Sequence, residues 1–284
     1  MQAAALRNTF NNLGHLSLYS GCYAAGCVLL VLLAMDLPMD WPALGAGLAT
    51  TWFVYLLHRT RVARRPGVTW SQRVLYYGKN RSLVRCVLWA SGVLSFIMLF
   101  FVDPWACLLV PASVFGMLCY GHGSDGKRVR DRLYLKNAVV ALSMAAFCMA
   151  LAFFGAVEFP GDDPTMATVL LVLFLLVLSD AILCDFADTE ADQRTGTRTM
   201  PIRFGHARAR IVSDTITFGS ALILLSLWLI GSVSPVVGLG VPLLIVSTQF
   251  LLRRFKAEKL RHAVDLRMPL AVFVVFLVVF SSST

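Results

Sequence analysis

Apolar stretches about 17 to 22 residues long, the length a helix needs to cross roughly 30 Å of hydrocarbon at 1.5 Å per residue, limit this chain's fold more than any other feature. Nine occur, at about 16–34, 41–58, 83–102, 104–120, 136–157, 166–185, 209–231, 235–251 and 268–282. Lipid offers a backbone no hydrogen-bonding partner, so each stretch reads as a helix. With 58% of its residues hydrophobic and only 14% charged, the chain has too little polar material to cover a soluble domain of 284 residues. Its mean hydropathy of +0.72 agrees. The sequence therefore predicts an all-α membrane protein, a single integral membrane domain over 1–284 with nine transmembrane helices.

The charges orient it. All 25 Lys and Arg fall at Arg7, in 59–85, in 127–136, in 194–210 and in 253–267. The alternate connections hold only acids (Asp36 and Asp40, Asp103, then Glu158, Asp162 and Asp163) or the uncharged stretch GSVSP. Since Lys and Arg accumulate in short cytoplasmic loops, the alternation predicts a cytoplasmic N-terminus and an outer C-terminus. The net charge of +9 is explained by topology and anionic lipid headgroups, with no nucleic acid partner. The seven cysteines lie in or beside the spans without zinc-type spacing and read as small apolar packing residues. A charged start ahead of an apolar stretch resembles a signal peptide, but that stretch is too long and ends in AMDLPMD, so it reads as the first span.

Four basic loops concentrate polar mass on one face, and there the sixth apolar stretch runs into CDFADTEADQRTGTRTMPIRFG, residues 184–205. Continued as a helix, it sets Asp185, Asp188 and Asp192 at i, i+3 and i+7, within an arc of about 60°. Three carboxylates so close repel one another unless a cation sits among them. Hard oxygen donors suit Mg²⁺, which completes its shell with water and substrate phosphate. A solvated acidic stripe ending the helix is the plainer alternative. Against it, Arg194, Arg198 and Arg203 follow at once and could neutralise phosphate oxygens, with Gly196 and Gly205 for turns and Pro201 to open a new segment.

Asp185, Asp188, Asp192, Gly196, Thr199, Pro201, Arg203 and Gly205 reproduce DxxDxxxDxxxGxxTxPxRxG, and the pattern resembles the second aspartate-rich motif of the UbiA superfamily of intramembrane prenyltransferases. RVRDRLYLKNAVVALSMA, residues 128–145, is similar to the family segment in which basic residues precede a Lys-Asn pair opening the fifth helix. The resemblance implies a nine-helix, UbiA-like bundle around a central cavity, in which Mg²⁺ between two Asp-rich corners grips a prenyl diphosphate. Asp185, Asp188 and Asp192 would be the metal ligands and catalytic residues. Arg128, Arg130, Lys136 and Arg198 would contact the diphosphate.

The family's first motif, NDxxDxxxD, has no counterpart. The second apolar stretch ends TTWFVYLLHRTRVARRPG, with no Asn or Asp between Trp41 and Trp70. His58 stands where a carboxylate would, and Tyr55 and Val62 take the neighbouring acidic places, beside Arg59, Arg61, Arg64 and Arg65. Either the guanidinium groups bind the diphosphate directly, with His58 and Arg59 in substrate-binding roles, or the cluster is a topology signal that also binds headgroups. Trp52, Phe53, Tyr55, Tyr120 and Phe174 fall on spans expected to line or flank the cavity, where an aromatic face can stabilise a carbocation. Asp180 lies deep enough in its span to require a partner.

The expected reaction is Mg²⁺-dependent transfer of a prenyl group from an isoprenoid diphosphate to an aromatic or other lipophilic acceptor. The competing readings are a membrane terpene cyclase that needs no acceptor and a non-catalytic binder of lipid diphosphates. Transport is disfavoured, because the polar residues crowd one side. The expected location is a bacterial plasma membrane, with the site on its cytoplasmic side.

Overall fold

A computed structural model describes residues 2–63, 72–121, 132–155, 164–194 and 196–283, and all regular structure in them is helical. In chain order the helices are α1 (Gln2–His15), α2 (Leu18–Ala34), α3 (Trp41–Ala63), α4 (Gln72–Lys79), α5 (Arg81–Val102), α6 (Leu109–Gly121), α7 (Leu135–Phe154), α8 (Pro164–Arg194), α9 (Met200–Phe204), α10 (His206–Leu229), α11 (Val241–Leu252) and α12 (Ala257–Ser283). A 3₁₀ turn, Pro104–Leu108, precedes α6, and a π turn, Val236–Gly240, precedes α11.

Within the described residues, each of the nine predicted stretches falls on a helix or a helix-and-turn pair, but length and composition qualify fewer as spans. Five helices among the described residues are long and apolar enough: α5, α7, α10, residues Pro164–Glu190 of α8 and residues Lys259–Ser281 of α12. A sixth span follows if α1 and α2, bent by 73°, count as one. The stretches at 104–120 and 236–252 are shorter apolar helices. The bend occurs at Ser17, whose φ of 67° is left-handed, and residues 2–15 form a separate helix ahead of the first predicted span.

α2 is the axis of the bundle. It packs on α3, α7 and α12, and its residues from Tyr23 to Ala34 anchor a core shared with α7, α8, α10, α11 and α12. Small residues permit the close crossings, as is common between membrane helices. A Cβ on Gly26 would lie 2.7 Å from Pro269 Cα, a backbone atom that cannot swing aside. Gly26→Val is therefore expected to destabilise the protein by about 1–3 kcal/mol, the usual cost of overpacking, measurable by denaturant unfolding in detergent. Large apolar side chains are exposed around the perimeter, among them Trp89, Phe100 and Phe101 on α5 and Leu222 and Leu229 on α10, as a lipid-facing belt requires.

α3 opens with Asp40 accepting from the Ala43 amide at 2.9 Å and with Pro42 in the first turn, an ordinary helix start. A cavity of about 220 Å³ lies beside this start, lined by Pro38, Asp40, Trp41 and Gly155. The acid triplet is elsewhere, at the opposite end of α8. That helix has 31 residues, roughly 46 Å at 1.5 Å per residue, so it outruns the hydrocarbon and carries the triplet in its last turns. It stops at Gly196, whose φ of 72° returns the Thr197 amide to the Asp192 carbonyl at 2.9 Å.

Candidate active site

Polar contacts gather the start of α2, the end of α3, the start of α7, the end of α8 and the start of α12 at one end of the bundle. Asp185 and Asp192, two turns apart on α8, both turn toward α7. Lys136 Nζ donates to Asp185 Oδ1 and to Asp192 Oδ2, each at 2.7 Å. Asn137 Nδ2 donates to the other Asp185 oxygen at 2.8 Å. Asp185 and Asp192 are 3% and 4% accessible, so these are desolvated, charge-assisted bonds. Burial pushes the Asp192 carboxyl up from its ordinary value, and the Lys136 charge works in the opposite direction. Asp188 faces another neighbour, accepting from Arg261 Nη1 at 2.8 Å.

Two carboxylates converging on one ammonium make a cation site, with Lys136 Nζ standing where a cation is held. Among the described residues no three acid, His or Cys side chains close into a full metal cage. Mg²⁺ does not require one, since it is commonly held by one or two carboxylates together with water and substrate phosphate. The oxygen donors of Asp185 and Asp192 thus fit a divalent ion. The buried Thr199 hydroxyl, also of the motif, has no protein partner among the described residues.

The α3 corner is basic. Arg59 donates to Ser17 Oγ at 2.6 Å and to Ser20 Oγ at 3.4 Å, and its guanidinium lies 5.5 Å from the centre of the Tyr55 ring. Ser20 in turn donates to Asp265 of α12 at 3.1 Å. His58 and Tyr120 make an edge-to-face pair at 6.1 Å. The cations flanking the motif are more dispersed. Arg61 and Arg198 are exposed, while Arg64, Arg65, Arg128 and Arg130 lie outside the described residues. Of the predicted site residues, Lys136 thus joins Asp185 and Asp192 directly, whereas Asp188, Arg59, His58 and Tyr120 belong to neighbouring contacts.

Arg261 and Asp265 were not expected here. In the sequence both sit in a basic stretch that registers only as a topology signal, and α12 has to fold against α8 before Arg261 meets Asp188. Asn137 was readable as half of the Lys-Asn pair. Asp180 has the partner it needs: Arg267 Nη2 lies 2.6 Å from its Oδ1, off the hydrogen-bonding direction, and Tyr23 donates to its Oδ2 at 2.8 Å.

A family model described as the UbiA prenyltransferase family matches residues 72–277, from α4 well into α12, leaving the α3 corner ahead of the match. Over 196 residues the chain is 24% identical to digeranylgeranylglyceryl phosphate synthase of Thermococcus kodakarensis. That alignment covers 66% of this chain and 63% of the relative, so the chain spans less than two thirds of the relative's length. The apo structure of a UbiA homologue from Aeropyrum pernix is similar with a TM-score of 0.65 at 13% identity, over 90% of this chain and 98% of that one. A UbiA homologue from Archaeoglobus fulgidus bound to GPP and Mg²⁺ gives 0.58 at 16% identity, over 95% and 97%. At these identities the structural likeness is one of fold.

Proposed function

The chain belongs to the UbiA prenyltransferase family, and from that premise we propose that it transfers the prenyl group of an isoprenoid diphosphate to a lipophilic acceptor within the membrane. The observation that carries this reading is the convergence of Asp185 and Asp192 on one cationic point inside the family's acid motif. In the reaction the C1–O bond of the allylic diphosphate breaks and the electron pair leaves with the diphosphate. The acceptor's nucleophilic atom then bonds to C1 and loses a proton.

Asp185, Asp188 and Asp192 would hold the Mg²⁺ that the acid motif and the Archaeoglobus neighbour suggest. When bound, that ion supplies electrostatic stabilisation of the charge developing on the departing diphosphate. Lys136, whose ammonium fills the position between Asp185 and Asp192 in the structure, would give it up to the ion and turn to the phosphate oxygens as they arrive. Asn137 fixes the Asp185 carboxylate by taking its second oxygen. Substrate-binding roles for Arg59, His58, Tyr120, Arg198, Arg128 and Arg130 belong to the same reading. The distribution of Lys and Arg supports a site facing the cytoplasm from a plasma membrane.

The test is pyrophosphate release by purified protein in nanodiscs, with several prenyl diphosphates and with no acceptor, an aromatic acceptor or a lipid glyceryl phosphate. Wild type is expected to release pyrophosphate only with Mg²⁺ and an acceptor, and Asp188→Asn to be slower. A cyclic hydrocarbon or alcohol formed without acceptor would replace transfer by cyclisation. Full activity in EDTA would remove the metal-assisted reading, and diphosphate binding without any release would leave a non-catalytic binder.

A further inference from the structure

In this family member the α3 corner has no carboxylate, since 41–63 contains neither Asp nor Glu, so it offers no acidic ligand for a divalent ion. A fixed cation reaches the acid motif from the other direction. Arg261, in the second turn of α12, donates from Nη1 to Asp188 Oδ1 at 2.8 Å, and its side chain is 18% accessible. A guanidinium carries five N–H donors in a planar fork. The bond to Asp188 uses one, and none of the Arg261 nitrogens is among the buried, unpartnered atoms. The side chain is partly accessible, and among the described residues the hydrogen bond to Asp188 leaves the other donors for a ligand. One turn further along α12, Asp265 accepts from Ser20, which also accepts from Arg59. Polar contacts thus run from the α3 corner to the turn of α12 that follows Arg261.

We propose that Arg261 is a diphosphate-binding residue, a permanent cation from the last helix that provides the charge an ion at the α3 corner would otherwise provide. Asp188 orients its guanidinium, and the open part of the fork takes two phosphate oxygens side by side, which an ammonium cannot do. This rests on the prenyl-diphosphate reading above.

The experiment measures binding of inorganic pyrophosphate and of a hydrolysis-resistant prenyl thiolodiphosphate to the full chain in nanodiscs, by calorimetry, with Mg²⁺ and in EDTA. Wild type is expected to bind with Mg²⁺ and, more weakly, in EDTA. Arg261→Gln should weaken binding about tenfold or more in both conditions, as loss of a charge-assisted pair of hydrogen bonds implies. Arg261→Lys, which keeps a cation against Asp188 and with it the fold, should remain several-fold weaker than wild type. Arg254→Gln, an exposed cation of the preceding turn, should change nothing. Binding of both Arg261 variants within twofold of wild type overturns the inference alone. A wild type that binds neither probe even with Mg²⁺ overturns the prenyl-diphosphate reading, and the inference with it.

Discussion

Replacing Asp185 by asparagine is expected to slow pyrophosphate release by about 10²–10³-fold, the loss typical when one preorganised electrostatic contact to a developing charge is removed. The bundle should stay folded, and the reason is local. Asp185 takes one hydrogen bond from Lys136 and one from Asn137. An asparagine can keep its oxygen toward Lys136, which is only a donor. Asn137 can then turn its own amide over to meet the new NH₂ group. The hydrogen bonds survive and the charge does not, so the substitution isolates the charge. Lys136 loses one of its two carboxylates and the cation site loses half its anionic lining. Measured turnover and thermal unfolding separate the two effects. An unchanged melting temperature with wild-type turnover would show that the Asp185 charge has no part in the reaction.

The same side chains indicate what could be read from the sequence and what could not. Helix positions were legible because lipid leaves the backbone no alternative partner, and a run of about twenty apolar residues has one reading. The bend at Ser17 was not, since hydropathy averages over a window and is blind to a single residue in left-handed geometry. The stretches at 104–120 and 235–251 are legible as apolar helices, but the 3₁₀ turn that opens the first and the π turn that opens the second are not, because neither alters composition. The acid triplet was legible from spacing alone, because a helix of known pitch fixes which carboxylates share a face. Their partners were not. Lys136 lies on α7 and Arg261 on α12, and only the packing of both helices against the end of α8 divides the triplet into Asp185 with Asp192 on one side and Asp188 on the other. Asp180 belongs to both categories. Its depth announced a partner, and nothing in the spacing named Arg267.

Arg267→Leu is expected to cost about 3–5 kcal/mol, because it leaves Asp180 charged and unpaired in the interior of the bundle. Both residues are nearly inaccessible, at 2% and 3%, and the guanidinium also bonds the buried Gln249 Oε1. Gln249 Nε2 in turn donates to Asp214 at 2.6 Å, so the break orphans a second acceptor. Replacing both members of an ion pair by apolar residues is often nearly neutral, whereas removing one is not. The double variant Asp180→Leu/Arg267→Leu should therefore be more stable than Arg267→Leu alone, with the coupling read from a cycle of four unfolding curves in mixed micelles. Strict additivity would mean that the two charges do not stabilise each other. The pair also bears on the site, since it joins α8 and α12 on the side of Asp188 and Arg261 that lies deeper in the membrane, about two turns from each. Losing it frees the two helices to slide, so diphosphate binding should fall in Arg267→Leu and return in the double variant, where the helices pack through leucines. Binding that failed to recover along with stability would assign Arg267 a part in the site beyond holding the two helices in register.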